Sequence, residues 1–211
     1  MAIIKMSIHR ALSELKTYDA RINKTMEIEF VVANKKSNDK IQGKTLEEYK
    51  NQVTGNLASF YALTENQRRI KSAVVHSNAT TKVTIGGNLY TVAEAIERKA
   101  KLHHDEMFLS TLKTQFLIAN HGVEDHNSQL PDKLEKYLQA ILGEKDKRSV
   151  EDIKMHTKAF EDRNKYELID PIDIQKQIAE VEEKLLSFKT EVDYILSESN
   201  ATTFVEIDLV N

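Results

Sequence analysis

The chain has 211 residues with 30 basic and 33 acidic side chains, and with no long Lys/Arg run it has no electrostatic drive toward nucleic acid. Two prolines, six glycines, 30% charged and 7% aromatic residues favour long amphipathic helices over a β-sandwich or an enzyme-like α/β fold. No cysteine is present, which excludes disulfides, thiolate catalysis and cysteine-based zinc or iron–sulfur sites.

The opening MAIIKMSIHRAL lacks the apolar core of a signal peptide, and no stretch approaches the roughly 18 apolar residues that span a bilayer. The expectation is a soluble, intracellular chain with no membrane partner. Ser7 caps a first helix, 7–24, whose Ile8, Ala11, Leu12, Leu15, Tyr18 and Ile22 recur at helical spacing. MEIEFVV then alternates Met26, Ile28, Phe30 and Val32 with Glu27, Glu29 and Val31, which predicts a strand over 26–33. KKSNDKIQGK follows as a polar loop.

Thr45 and Glu48 have capping-box spacing, and a stripe from Leu46 to Val74 carries a second helix over 45–77. Its length calls for another long helix alongside. KVTIGGNLYTV predicts a hairpin over 82–91 turning at Gly86-Gly87-Asn88, and Thr91 and Glu94 open a helix over 92–121. VEDHNSQLPD is a connector, and residues 130–165 form a helical insert with Pro131 at a helix start and Gly143 at its end.

Asp170-Pro171 starts the last helix, 171–198, where Ile174, Ile178, Val181, Leu185, Phe188, Val192 and Ile195 make a coiled-coil-like seam. FVEIDLVN ends the chain as a strand over 204–210. The predicted fold class is mainly α: one elongated domain of long antiparallel helices, a coiled-coil-like stalk, with a small β-sheet built from 26–33, 82–91 and 204–210 at one end. The regularity of the last helix predicts a homo-oligomer, because a short stalk leaves such a stripe uncovered.

SNATT occurs twice, at residues 77–81 and 199–203, each copy followed by an in-register Val and Ile. Two accounts of the repeat compete. In one it is a helix-stop signal, with Asn78 and Asn200 taking the left-handed conformation and Thr-Thr favouring extension. In the other the two copies converge into a polar site for an anionic small molecule. That site comprises Arg68, Arg69, Lys71, Ser77, Asn78, Thr80, Thr81, Tyr90, Ser199, Asn200, Thr202 and Thr203, beside a helix start whose free N–H groups attract anions.

SIHRALSEL, IKSAVVHSNATTKVTIGG, YTVAEAIERK and EVDYILSESNATT resemble a family of phage and prophage proteins of low-GC Gram-positive bacteria, and the SNATTKVTIGGNLYTVAEAIERK core is more distantly similar to septicolysin-like proteins. The resemblance covers most of the chain and is weakest over 122–165. It implies long helices, a homo-oligomer, and a place in the host cytoplasm or the virion. It implies no catalytic residues and is no evidence of pore formation. The expected function is a non-enzymatic oligomeric binder that sequesters a nucleotide-like host-defence signal, and the alternative is a virion or assembly protein.

Other chemistry has little support. His121, Glu124, Asp125 and His126 sit close in sequence but in a polar stretch that reads as loop, and adjacent His103 and His104 point apart on a helix. No metal or cofactor is expected. There is no G-x-G-x-x-G, P-loop or G-x-S-x-G pattern.

Overall fold

The computed structural model describes residues 2–145 and 149–210, and these are mainly helical. In chain order the elements are β1 (Ala2–Ser7), α1 (Ile8–Thr25), β2 (Lys40–Ile41), β3 (Lys44–Thr45), α2 (Leu46–Thr80), β4 (Lys82–Ile85), β5 (Asn88–Thr91), α3 (Val92–Ala100), α4 (Leu102–Ser128), α5 (Leu130–Leu142), α6 (Val150–Asn164), α7 (Ile174–Thr202) and β6 (Phe204–Leu209). Where the sequence suggests one domain, the chain packs as two compact units, Met1–Ala100 with Ser187–Asn211 and Lys101–Leu186. No helix among the described residues is long and apolar enough to cross a membrane.

The first unit holds the larger core, where Met6, Ile8, Ala11, Tyr18, Ile70, Val74 and Ile207 are all buried together. Helix α1 starts where Ser7 accepts a hydrogen bond from the Arg10 amide at 3.2 Å. Thr45 and Glu48 form a reciprocal capping box at the start of α2, which satisfies amides that the first turn leaves unpaired.

Among the described residues there are three two-stranded antiparallel ladders, β1–β6, β2–β3 and β4–β5. No strand forms over 26–33, and the sheet expected from 26–33, 82–91 and 204–210 is replaced by these separate pairs. The alternation survives in part as burial, with Ile28, Phe30 and Val32 half-buried between exposed Glu27, Glu29 and Val31, whereas Met26, expected on the covered side, is exposed. Alternation reports one-sided packing, and a strand also needs a neighbour to accept its backbone hydrogen bonds. The neighbour that β6 does find is β1, in the register Ser7↔Phe204, Lys5↔Glu206 and Ile3↔Asp208.

The β4–β5 hairpin forms as expected, with Gly86 and Gly87 at φ of 56° and 74°. A Cβ on Gly86 would lie 2.8 Å from Ser187 Oγ, so both the turn and the approach of α7 require glycine.

The β4–β5 and β6–β1 ladders belong to two versions of one unit. In the first, α2 ends, Thr81 donates its amide to Ser77 O at 2.8 Å, and Thr81 O accepts from the first amide of α3, Val92 N, at 2.9 Å. In the second, α7 ends, Thr203 donates to Ser199 O at 2.9 Å, and Thr203 O accepts from the first amide of α1, Ile8 N, at 2.9 Å. The strand registers agree: Lys82 lies opposite the cap residue Thr91, and Phe204 lies opposite the cap residue Ser7. Ala95 and Ala11 are buried at equivalent places in the two helices that follow. The difference lies in connection, because β4 and β5 are joined by a glycine turn whereas β1 and β6 come from distant parts of the sequence.

The versions also exchange helices. α2 grips the β6 strand of the other version: Asn66 Nδ2 donates to Val210 O at 2.8 Å, its Oδ1 accepts from Val210 N at 2.7 Å, and Arg69 donates to Asp208 O at 2.8 Å. α7 grips the β4–β5 turn, with Glu191 accepting from Gly86 N at 2.7 Å and Phe188 meeting the Tyr90 ring edge-on at 5.6 Å. The seam of α7 is thus covered over Phe188 and Val192, the two buried residues of that helix.

Several boundaries move. Where one helix is expected over 92–121, α3 and α4 are separate and break at Lys101, and α4 runs on to Ser128 through the expected connector. Helix α7 starts at Ile174, after Asp173 at φ 53°, with Asp170 accepting from the Ile174 amide at 2.9 Å. Pro171 therefore lies in the preceding turn.

In the second unit Leu112 and Leu138 are buried. Tyr137 packs on Phe160 at 5.1 Å, and Asn127 exchanges two hydrogen bonds with the backbone of Tyr166, at 2.8 and 2.9 Å.

The Asn66 clamp has a direct test. Asn66→Ala removes a donor and an acceptor from the Val210 backbone in a buried place, which should cost about 1–3 kcal/mol. Urea unfolding measures the loss, and hydrogen exchange should accelerate at Val210 ahead of Ile207. Unchanged stability and exchange would show that the clamp holds nothing.

Candidate functional site

Both SNATT copies are helical up to their last residue. Asn78 and Asn200 lie inside α2 and α7, and the positive-φ residues other than glycine among the described residues are Gln42 and Asp173. The left-handed stop expected at the asparagines is therefore absent. The helices end at Thr81 and Thr203, and Thr81 is extended at φ -70° and ψ 127°. Thr80 Oγ1 donates back to His76 O at 3.0 Å and Thr202 Oγ1 to Glu198 O at 2.9 Å, and Ser77 Oγ lies 3.4 Å from Thr81 Oγ1. The two threonine hydroxyls thus bond back to carbonyls one turn earlier in their own helices.

Two grooves flank this junction, both within the first unit. The β6 groove has a volume of about 680 Å³, and its walls are Arg68, Arg69, Ser72, Ala73, His76, Ser77 and Thr80 from α2, with Thr81 at the end of that helix. Thr203 and the strand Phe204–Asp208 complete it. The β4 groove, of about 570 Å³, is lined by Thr81–Thr84 and by Tyr194, Ile195, Glu198, Ser199, Thr202 and Thr203. Thr81 and Thr203 belong to both. Both volumes fall in the range of about 300–1,000 Å³ usual for ligand sites.

The sequence-predicted residues are thus divided. Arg68, Arg69, Ser77, Thr80, Thr81 and Thr203 line the β6 groove, while Ser199 and Thr202 line the β4 groove with the two shared threonines. Lys71, Asn78, Asn200 and Tyr90 line neither, and Tyr90 is engaged with Phe188. Sequence reasoning missed Ser72, His76, Phe204, Glu206 and Asp208. The helical steps from Arg68 to Ser72 to His76 and the alternation of Phe204, Glu206 and Asp208 were the available signals.

Charge in the β6 groove is largely paired. Glu65 accepts from Arg68 at 2.7 and 2.8 Å and from Arg69 at 2.8 Å, and Arg69 also reaches Asp208 Oδ2 at 3.3 Å. Hydrogen bonds from Arg68 and then Arg69 hold the Glu65 carboxyl at about 2. The Arg69 side chain is 27% exposed and anchors β6, whereas that of Arg68 is 69% exposed. An exposed pair of that kind contributes little and can be re-formed with a ligand. Asp208 Oδ1 is buried and accepts no hydrogen bond among the described residues.

The histidines considered for metal are not in a loop. His126 lies in α4 with Nδ1 2.8 Å from Gly122 O and its ring 4.0 Å from that of Tyr166, and His121 Nδ1 is 3.8 Å from Glu124. The His103 and His104 rings, expected to diverge, lie 3.9 Å apart. Among the described residues no group of three or more metal-ligating side chains gathers.

The Glu65 pairing sets a pH dependence. A carboxyl whose folded pKa is depressed stabilises the fold fully above its unfolded value and loses that contribution as pH falls through the folded value, here about 2. Arg69→Ala should raise the Glu65 midpoint toward the ordinary glutamate range and flatten this part of the acid unfolding curve. Carbon-detected NMR titration of Glu65 reads the shift, and an unmoved midpoint would refute the pairing.

No family model, curated protein or solved structure matches the chain.

Proposed function

We propose that the chain is a non-enzymatic, homo-oligomeric binding protein of phage type that sequesters an anionic, nucleotide-like small molecule in the β6 groove, in the manner of a sponge for a host-defence signal. The observation that carries this reading is the composition of one groove. Arg68 and His76 supply cationic or hydrogen-bonding groups, Phe204 is 57% exposed, and Ser72, Thr80 and Thr203 supply hydroxyls. Such a set matches a phosphate, a base face and a sugar. Arg69 and Glu65 act as support, because their hydrogen bonds fix the strand and the reach of Arg68.

An assembly role for the long helices is the second reading. Helix α4 buries only Leu112 among its described residues, while Met107, Phe108, Leu117 and Ile118 are 54–66% exposed. A second copy covering this stripe would remove apolar surface of a kind that marks interaction sites. This observation supports homo-oligomerisation under either reading.

Calorimetry with the four ribonucleoside monophosphates, alongside native mass spectrometry of protein from a phage-infected host, tests the proposal. Parent protein should take up a nucleotide, and Arg68→Ala should weaken binding by about 1.5–3 kcal/mol with unchanged melting. Parent protein that neither binds nor retains a small molecule would leave the assembly reading in its place.

A further inference from the structure

The offset that carries Ser77 onto Ser199 also carries the β6 groove onto the β4 groove. Ser77, Thr80 and Thr81 map onto Ser199, Thr202 and Thr203, while Thr203 and Val205 map back onto Thr81 and Val83. Every residue lining the β4 groove has its counterpart in the lining of the β6 groove. The same hydrogen bonds close both helix ends. The two clefts are therefore one site made twice, back to back across Thr81 and Thr203.

What differs between them is redistributed rather than lost. The aromatic wall of the β6 groove is Phe204, on the strand, and its cations Arg68 and Arg69 are on the helix. In the β4 groove the strand position of Phe204 is held by Lys82, and the helix position of Ser72 by Tyr194. Tyr194 is 57% exposed, as Phe204 is. Each groove thus combines one exposed aromatic ring, at least one cation, shared Ser and Thr hydroxyls and a carboxylate, Glu206 or Glu198. With helix and strand roles reversed, the same ligand chemistry fits the second groove in the opposite orientation.

We propose that the Lys82–Tyr194 groove is a second nucleotide-binding site, so that each chain holds two nucleotide moieties, one in each groove. This rests on the nucleotide reading of the β6 groove. Tyr194 stacks the base, Lys82 faces the phosphate, and Glu198 accepts from the sugar or base edge.

Titration with the ribonucleoside monophosphates, followed by calorimetry and by equilibrium dialysis, tests it. Two equivalents per chain are expected. Tyr194→Ala and, independently, Lys82→Ala should each remove one equivalent and leave the other at its parent affinity, whereas Phe204→Ala and Arg68→Ala should remove the opposite one. Melting by circular dichroism checks that each variant is folded, and Lys82→Ala at an exposed strand end carries the test should Tyr194→Ala unfold. One equivalent per chain, untouched by Tyr194→Ala and Lys82→Ala, overturns the second site and leaves the first standing. No uptake by parent protein overturns both.

Discussion

A helix that ends inside a protein must dispose of its last carbonyls, and one that begins there must dispose of its first amides. In the first unit a single arrangement does both at once. The threonine that ends one helix turns its carbonyl to the opening amide of the next, Thr81 to Val92 and Thr203 to Ile8. This bond fixes the distance between an ending and a beginning helix, and the ladder beside it fixes their angle. The core residues Ile8, Ala11, Ile70 and Ile207 meet because those helices and strands are held in that relation.

Holding β6 and the β4–β5 turn in place requires a side chain from the other version's long helix, and opposite charges meet that requirement at equivalent places. Arg69 donates to a carbonyl, Asp208 O, and Glu191 accepts from an amide, Gly86 N. The difference follows from the chain's course. At Gly86 a positive-φ turn presents an amide to the helix, while in β6 the strand continues and presents a carbonyl. The cost of this solution is that Arg69 and Glu191 are committed to structure, which leaves Arg68, His76 and Lys82 as groove cations or potential cations with greater freedom.

The long helices, the capping boxes and the β4–β5 hairpin were legible in the sequence because each rests on neighbours only a few residues away. Thr45 and Thr91 announce themselves by the glutamate three positions on, and Ser7 by the helical spacing of the apolar residues behind it. The segment 26–33 was misread because periodicity of two records which side is covered, and only a distant partner decides whether a ladder forms. Strand β1 escaped for the converse reason: Ile3, Ile4 and Met6 precede a clear cap, but their partner lies at the far end of the chain. The two asparagines of the repeat were credited with a left-handed turn, but both lie inside helices that run on and end at the threonines behind them.

The candidate site was half legible for a related reason. A repeat shows which residues recur, and recurrence selects those that the fold needs twice, such as Ser77 with Ser199 and Thr81 with Thr203. Residues that would discriminate a ligand are free to differ between the versions, and here they do: His76 against Glu198, Phe204 against Lys82, Ser72 against Tyr194. The SNATT repeat thus located the grooves through their common frame while hiding the side chains that differ between them. Once two copies of a frame can be superposed, the differing positions are where a ligand's sign and shape must be read.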